Sequence, residues 1–137
     1  MTWAELFKEI FTINGRLGRK RYYRCVMKVW APCVIPYAMN ILLVDVFELS
    51  ERLPTLTAIV GWLSQIATLV FLICMFFLVS RRLNDFDCSS FWMCLQIVMI
   101  FSGVQFAWIL VGIFWFWVGI KRGTDGKNKY GEPPPDD

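Results

Sequence analysis

Apolar residues in this chain fall in long unbroken runs, not in short alternations. Residues 25–44 carry one charge, Lys28, and residues 56–79 carry none over 24 positions. A helix needs about 20 consecutive apolar residues to cross a hydrocarbon core about 30 Å thick. These two runs therefore predict spanning helices over about 25–47 and 56–79. Lys28 lies near the start of its run, where a lysine snorkels to the headgroups. Pro32 and Pro36 bend that helix or free backbone carbonyls, which membrane helices tolerate.

The third run, residues 91–120, is 30 positions without a charge. As one helix it would measure about 45 Å, at about 1.5 Å per residue. That exceeds the hydrocarbon core even with tilt. The alternatives are three spans, the last one overlong, or four hydrophobic helices, the last two a hairpin over about 91–102 and 104–120 that turns at Ser102-Gly103.

Charge bears on that choice, because cytoplasmic loops retain lysine and arginine. Residues 14–28 hold Arg16, Arg19, Lys20, Arg21, Arg24 and Lys28 and no acid, which places them inside. Residues 45–55 hold Asp45, Glu48 and Glu51 against Arg52 alone, which places them outside. Arg81 and Arg82 return the chain to the inside. Lys121, Arg122, Lys127 and Lys129 stay inside only if the third run folds back. The bias favours the hairpin, with both termini cytoplasmic.

The N-terminus patterns differently. Thr2 and Glu5 have capping-box spacing. Trp3, Leu6, Phe7, Ile10 and Phe11 recur at helical spacing, with Glu5, Lys8 and Glu9 elsewhere. Residues 1–13 are expected to form an amphipathic interfacial helix, ended by the turn pair Asn14-Gly15. That helix lies apolar face down in the headgroup layer, rests on the bundle's own end, or does both. A transmembrane helical domain follows over 14–122 and a cytoplasmic tail over 123–137. The tail ends in three prolines and two acids, and is expected to be extended and mobile. The first apolar run begins too late and runs too long for a cleaved signal peptide.

Composition narrows the classes. Hydrophobic residues make up 57% of the 137 and charged residues 18%, with a mean hydropathy of +0.51. Soluble domains run at about 45–50% apolar and about 25% charged, so an ordinary cytosolic domain is excluded. The chain has no histidine, hence no group of the commonest general-base and zinc-ligand type. The five cysteines are spaced unlike a zinc or redox site and serve as small apolar residues. No metal, cofactor or catalytic residue is expected. The basic residues hug the membrane instead of forming a free stripe, so no nucleic acid is expected. No span carries an acid or arginine at its centre, the usual mark of a proton-coupled carrier. Asn40, Gln65, Gln96 and Gln105 are amides suited to bonds between helices. The aromatic run 108–117 suits the lipid interface.

Three polar clusters flank the helices. The first is Gly15-Arg16-Leu17-Gly18-Arg19-Lys20-Arg21-Tyr22-Tyr23. The second is Arg81-Arg82-Leu83-Asn84-Asp85-Phe86-Asp87-Cys88-Ser89-Ser90-Phe91-Trp92. The third is Gly123-Thr124-Asp125-Gly126-Lys127-Asn128-Lys129-Tyr130-Gly131-Glu132-Pro133. In this order and at these helix ends they resemble the bacterial inner-membrane family known as domain of unknown function 805. That family carries G-R-x-x-R-x-x-Y, then R-R-L-x-D, then G-T-x-G-x-N-x-Y-G-x-x-P. The resemblance covers roughly residues 7–134. It implies a multipass inner-membrane protein of three or four helices and implies no reaction. Three departures stand out: Tyr23 where tryptophan is frequent, Asn84 where histidine is common, and residues 86–90 where a glycine-containing turn is usual.

The candidate site residues are Arg16, Arg19, Arg81, Arg82, Asp85, Asn128 and Tyr130. If residues 16–19 are helical, Arg16 and Arg19 share a face, and arginine forks match phosphate oxygens. They then serve anionic lipid headgroups, or simply the topology signal. Asp85 beside two arginines invites an ion pair, and Asn128 and Tyr130 can bond back to the loops. The three clusters are expected to converge into one polar cap, lipid-binding or structural. The expected role is non-catalytic: a scaffold, a module binding a membrane-protein partner or a homo-oligomer, or a headgroup-interacting module. The alternative is a subunit of a small oligomeric transporter or channel, with Gly61 and Gly112 allowing close helix packing.

Overall fold

The computed structural model describes residues 2–12, 15–89 and 91–134. Among them the chain is all-helical: α1 (Trp3–Ile10), α2 (Arg19–Ile41), α3 (Pro54–Asp85), α4 (Phe91–Phe101) and α5 (Gln105–Ile120). A π-helical turn, Leu42–Val46, continues α2. This is the element content of a helical membrane bundle. Two helices, Arg19–Val46 and Pro54–Asp85, are long and apolar enough to cross a membrane.

Both long helices overrun their apolar stretches. α2 starts at Arg19 rather than at residue 25, because Tyr22 N–H donates to the Gly18 carbonyl (2.8 Å) and arginine and lysine extend a helix readily. α3 starts at Pro54, where proline suits a first turn, and runs on to Asp85 instead of stopping near residue 79. Apolarity marks where hydrocarbon lies. Caps mark where helices end, and here they lie beyond it. Pro32 and Pro36 both sit inside α2. Each lacks an N–H, so the carbonyls four residues earlier lose their helical donors.

The third apolar run breaks as the hairpin reading expects. α4 has 11 residues and α5 has 16, about 16 and 24 Å of helix, and the two pack on each other. Gly103 takes a left-handed φ of 71° in the turn. The Ser102 hydroxyl accepts from Val104 N–H (3.3 Å) and donates to the Met99 carbonyl (2.7 Å). The two arms are tied by Trp115 Nε1, which donates to Gln96 Oε1 (3.1 Å).

The chain divides into two compact units. One comprises 26–74. In it Val29, Val60, Ser64 and Cys74 are buried. Ser64 Oγ donates to the Gly61 carbonyl (2.7 Å) and accepts a long bond from Asn40 Nδ2 (3.5 Å). Most of its large apolar side chains face outward, Trp62 being 72% exposed, and so does Gln65. Gly61, expected to serve close packing, has nothing within 4 Å of its Cβ position.

The other unit comprises 1–25 and 75–137. Its core gathers Leu6, Ile10, Leu17, Tyr22, Met75, Leu78, Val79, Leu83, Val111 and Val118. α1 carries a complete capping box: Glu5 N–H donates to Thr2 Oγ1 (3.2 Å) and Thr2 N–H to Glu5 Oε2 (2.7 Å). The Thr2 amide holds the Glu5 carboxyl below its ordinary value. α1 uses its apolar residues in two ways. Leu6 and Ile10 are buried in the unit, whereas Phe7 and Phe11 stack on each other and stay half exposed. Phe11 also meets Phe77 of α3 edge-on. On α5, Ala107, Val111 and Val118 face inward, while Trp108, Phe116 and Trp117 are exposed. Gly112 is open, and the close contact falls at Gly119, where a Cβ would stand 2.6 Å from the Tyr23 hydroxyl.

Some sequence expectations lie outside the described residues. They concern Asn14 of the expected turn pair, the ends of the 1–13 helix at residues 1 and 13, and the last three residues of the tail. Gly15, the other half of the turn pair, has a φ of 100°.

Candidate functional site

The segments that form the site are set by helix ends. α3 closes with a left-handed residue, Asp87 (φ 61°). Cys88 N–H reaches back to the Leu83 carbonyl (3.1 Å) and Asp87 N–H to Asn84 (3.3 Å). This is a Schellman closure, where glycine is the usual left-handed residue and aspartate is tolerated. The turn through Asp87 and Cys88 therefore closes without a glycine.

The loop after α5 then caps the same helix end. Thr124 donates its N–H (2.9 Å) and its hydroxyl (3.0 Å) to the Asp85 carbonyl, and Asn128 Nδ2 donates to the Asn84 carbonyl (3.0 Å). These are orphan carbonyls of a helix terminus, otherwise left to water. Asn128 Oδ1 accepts from Tyr130 N–H (2.9 Å), Asn128 pairs through its backbone with Gly131, and Lys129 lies 3.4 Å from the Asp87 carboxylate. The Tyr130 hydroxyl stands 3.5 Å from the Cys88 carbonyl.

At the centre is the Asp85 carboxylate, 0% exposed. Oδ1 accepts from Arg16 Nε at 2.7 Å, and Oδ2 accepts from Arg82 Nη1. Two buried guanidiniums face one carboxylate, so the triad carries an excess positive charge. Backbone carbonyls absorb it. Arg16 donates to Gly126 and Thr124 (2.6 Å each). Arg82 donates to Leu17 (2.9 Å), Val118 (3.3 Å) and Lys121. Val118 and Lys121 sit at the C-terminus of α5, the negative end of its dipole, where a cation is favoured. The Phe86 ring lies 4.8 Å from the Arg82 guanidinium and 5.0 Å from Lys121 Nζ.

Gly123 belongs to this centre although its φ is ordinary. A Cβ there would stand 2.6 Å from Asp85 Cγ. The first glycine of the third motif is thus a matter of space, whereas Gly126 (φ 79°) and Gly131 (φ 130°) are matters of backbone conformation.

The expected site residues sort into two groups. Arg16, Arg82 and Asp85 form the buried centre of one cap, to which the half-buried Asn128 and Tyr130 also belong. Arg16 does so from a non-helical segment: residues 15–18 precede α2, so Arg16 and Arg19 do not share a helix face. Arg19 is the half-buried first residue of α2. Arg81 turns away from Asp85. Its Nη1 donates to the Glu9 carbonyl (2.5 Å) and to Glu9 Oε1 (3.3 Å), and Arg21 Nε lies 3.6 Å from Glu9 Oε2. Sequence reading missed Glu9 as a counter-ion, although its place on the polar side of α1 is the available signal. It missed Gly119 and the carbonyls of Thr124 and Gly126 as well, since a backbone acceptor leaves no mark in residue identity.

Around Arg81 a cleft of about 690 Å³ opens between α1 and the first turns of α2. Glu5, Lys8, Glu9, Thr12, Arg21 and Arg24 complete its lining. With four basic groups against two acidic ones, its formal charge is positive. No cluster of three metal-ligating side chains occurs among the described residues.

Fold and site together define a class: an all-helical, apolar chain whose N-terminal segment, α3 end and tail are locked by a buried Arg–Asp–Arg triad. The family model described as "Protein of unknown function (DUF805)" matches residues 10–132, and the chain belongs to that family. Neither a curated protein nor a solved structure matches it.

Proposed function

We propose that this is a multipass protein of a bacterial inner membrane, without catalytic activity, whose basic cytoplasmic face engages anionic lipid headgroups. The family frame is consistent with that role and assigns no reaction. One observation carries the reading. Arg16 before α2, Asp85 at the end of α3 and Thr124–Gly126 after α5 meet in a single cap, so the basic N-terminal segment and the basic tail share one side. The positive-inside bias makes that side cytoplasmic. α3 begins at Pro54, within the acidic 45–55 stretch, whose charge suits the opposite face. Anionic surfaces attract basic residues by about 1 kcal/mol each. Outward-facing Phe101 (80% exposed) and Trp62 (72% exposed) support hydrocarbon as the solvent, since soluble monomers rarely expose such patches.

Reconstitution tests this reading. The full chain should remain with membranes after carbonate washing and should bind phosphatidylglycerol in preference to phosphatidylcholine, with salt weakening the preference. Equal binding to both lipids overturns it. A second reading, as subunit of an oligomeric channel or transporter, rests on the open Cβ positions of Gly61 and Gly112 on apolar helices, where another helix can approach closely. Solute and ion flux in liposomes checks that reading.

A further inference from the structure

Arg81, in the unit of residues 1–25 and 75–137, is bonded at one end of its guanidinium only. Its side chain is 9% exposed, it lines the positively charged cleft, and its Nε is buried with no partner among the described residues. Buried guanidinium nitrogens are normally bonded, so an acceptor is missing at this point. The local acids are already engaged. Glu9 lies between Arg81 and Arg21, and Glu5 closes the capping box. Lys8 adds a further positive charge to the lining.

The same helix sets the depth of the cleft. At about 100° per residue, Lys8 lies on a different side of α1 from the buried Leu6 and Ile10. Phe7 and Phe11 fall between these two sides, half exposed and stacked. Exposed phenylalanines beside charged residues place a helix at the boundary of headgroups and acyl chains. Lipid phosphates lie at that level.

We infer that the cleft between α1, the first turns of α2 and Arg81 binds the phosphate of an anionic phospholipid headgroup. Phosphate oxygens meet the Arg81 guanidinium where it lines the cleft, and Arg21 and Lys8 complete a fork-and-point-charge site. Glu9 is then the competitor, an internal carboxylate holding the arginines until phosphate arrives. This rests on the lipid-binding reading above and goes further by naming the site.

The test uses the full chain in detergent, titrated with short-chain phosphatidylglycerol, short-chain phosphatidylcholine and inorganic phosphate, with binding read by native mass spectrometry. Phosphatidylglycerol should bind wild type best. Arg81→Gln should weaken it about tenfold, the loss of one charge-assisted contact, and the charge reversal Lys8→Glu by at least as much. Glu9→Gln should strengthen it, which a merely damaged protein cannot do. The Lys8 side chain has no partner among the described residues, so Lys8→Glu keeps the test alive if Arg81→Gln misfolds. Wild-type binding of phosphatidylglycerol that ignores Lys8→Glu and Glu9→Gln overturns the cleft and leaves the general reading standing. No preference in wild type overturns both. Inorganic phosphate binding as tightly as the lipid, with the same response to the variants, overturns the lipid as the source.

Discussion

The backbone at Gly123 approaches the Asp85 carboxylate so closely that no side chain fits between them: a Cβ would lie 2.6 Å from Asp85 Cγ. Asp85 cannot withdraw, because its two oxygens are held by Arg16 and Arg82. Gly123→Ala should therefore destabilise the protein by about 1–3 kcal/mol, as overpacking does. Thermal unfolding in detergent measures this, and a melting temperature equal to wild type would contradict the contact.

Asp85 itself is the more costly position. Removing one member of a buried ion pair costs about 3–5 kcal/mol, because the partner charge stays buried. Asp85→Ala strands two guanidiniums, and should lower membrane accumulation and melting temperature sharply. Adding Arg82→Leu to Asp85→Leu should recover part of the loss, since the pair then leaves together. A double-mutant cycle reads the coupling.

Glycine positions separate packing from composition. Gly119→Ala drives a methyl into the Tyr23 hydroxyl and should cost stability. Gly61→Ala and Gly112→Ala meet nothing within 4 Å and should be neutral or gain up to about 1 kcal/mol of helix propensity. Melting temperatures of the three single variants check the ordering.

The first helix should respond to acid. The folded Glu5 carboxyl is held below its ordinary value of 4.5 by the Thr2 amide. A depressed carboxyl stabilises above its unfolded value and loses that contribution as pH falls through the lower, folded value. Fraying of α1 should therefore increase below about pH 4.5, followed by amide signals of residues 3–8. Glu5→Gln should flatten that pH dependence.

Topology has a direct measure. In a background lacking the five native cysteines, Lys127→Cys should be labelled only from the cytoplasmic side and Glu48→Cys only from the opposite side. Labelling of both from one side would contradict the proposed orientation.

How much of this is legible in the sequence depends on what each feature is made of. The apolar runs are visible because hydrocarbon selects composition over 20 or more positions. The break at Ser102-Gly103 is visible only in combination with tail charges such as Lys127, since local hydropathy treats 91–120 as uniform. The convergence of Arg16, Asp85 and Asn128 is readable as a grouping of three clusters at helix ends. The partition of the adjacent arginines is not: Arg81 and Arg82 are identical residues side by side, and the helix turn sends one to Glu9 and the other to Asp85. Arg16 is not helical: Gly15 takes a left-handed φ of 100° and α2 begins only at Arg19.

The cap has a consequence for how the protein is made. Arg16 bonds to the Gly126 carbonyl across 110 positions of chain. At about 5–20 residues per second of synthesis, that acceptor leaves the ribosome several seconds or more after Arg16 does. Until then the arginine remains unsealed. A product cut short before residue 124 never completes the cap, because the Thr124 and Gly126 carbonyls that seal Arg16 are missing from it.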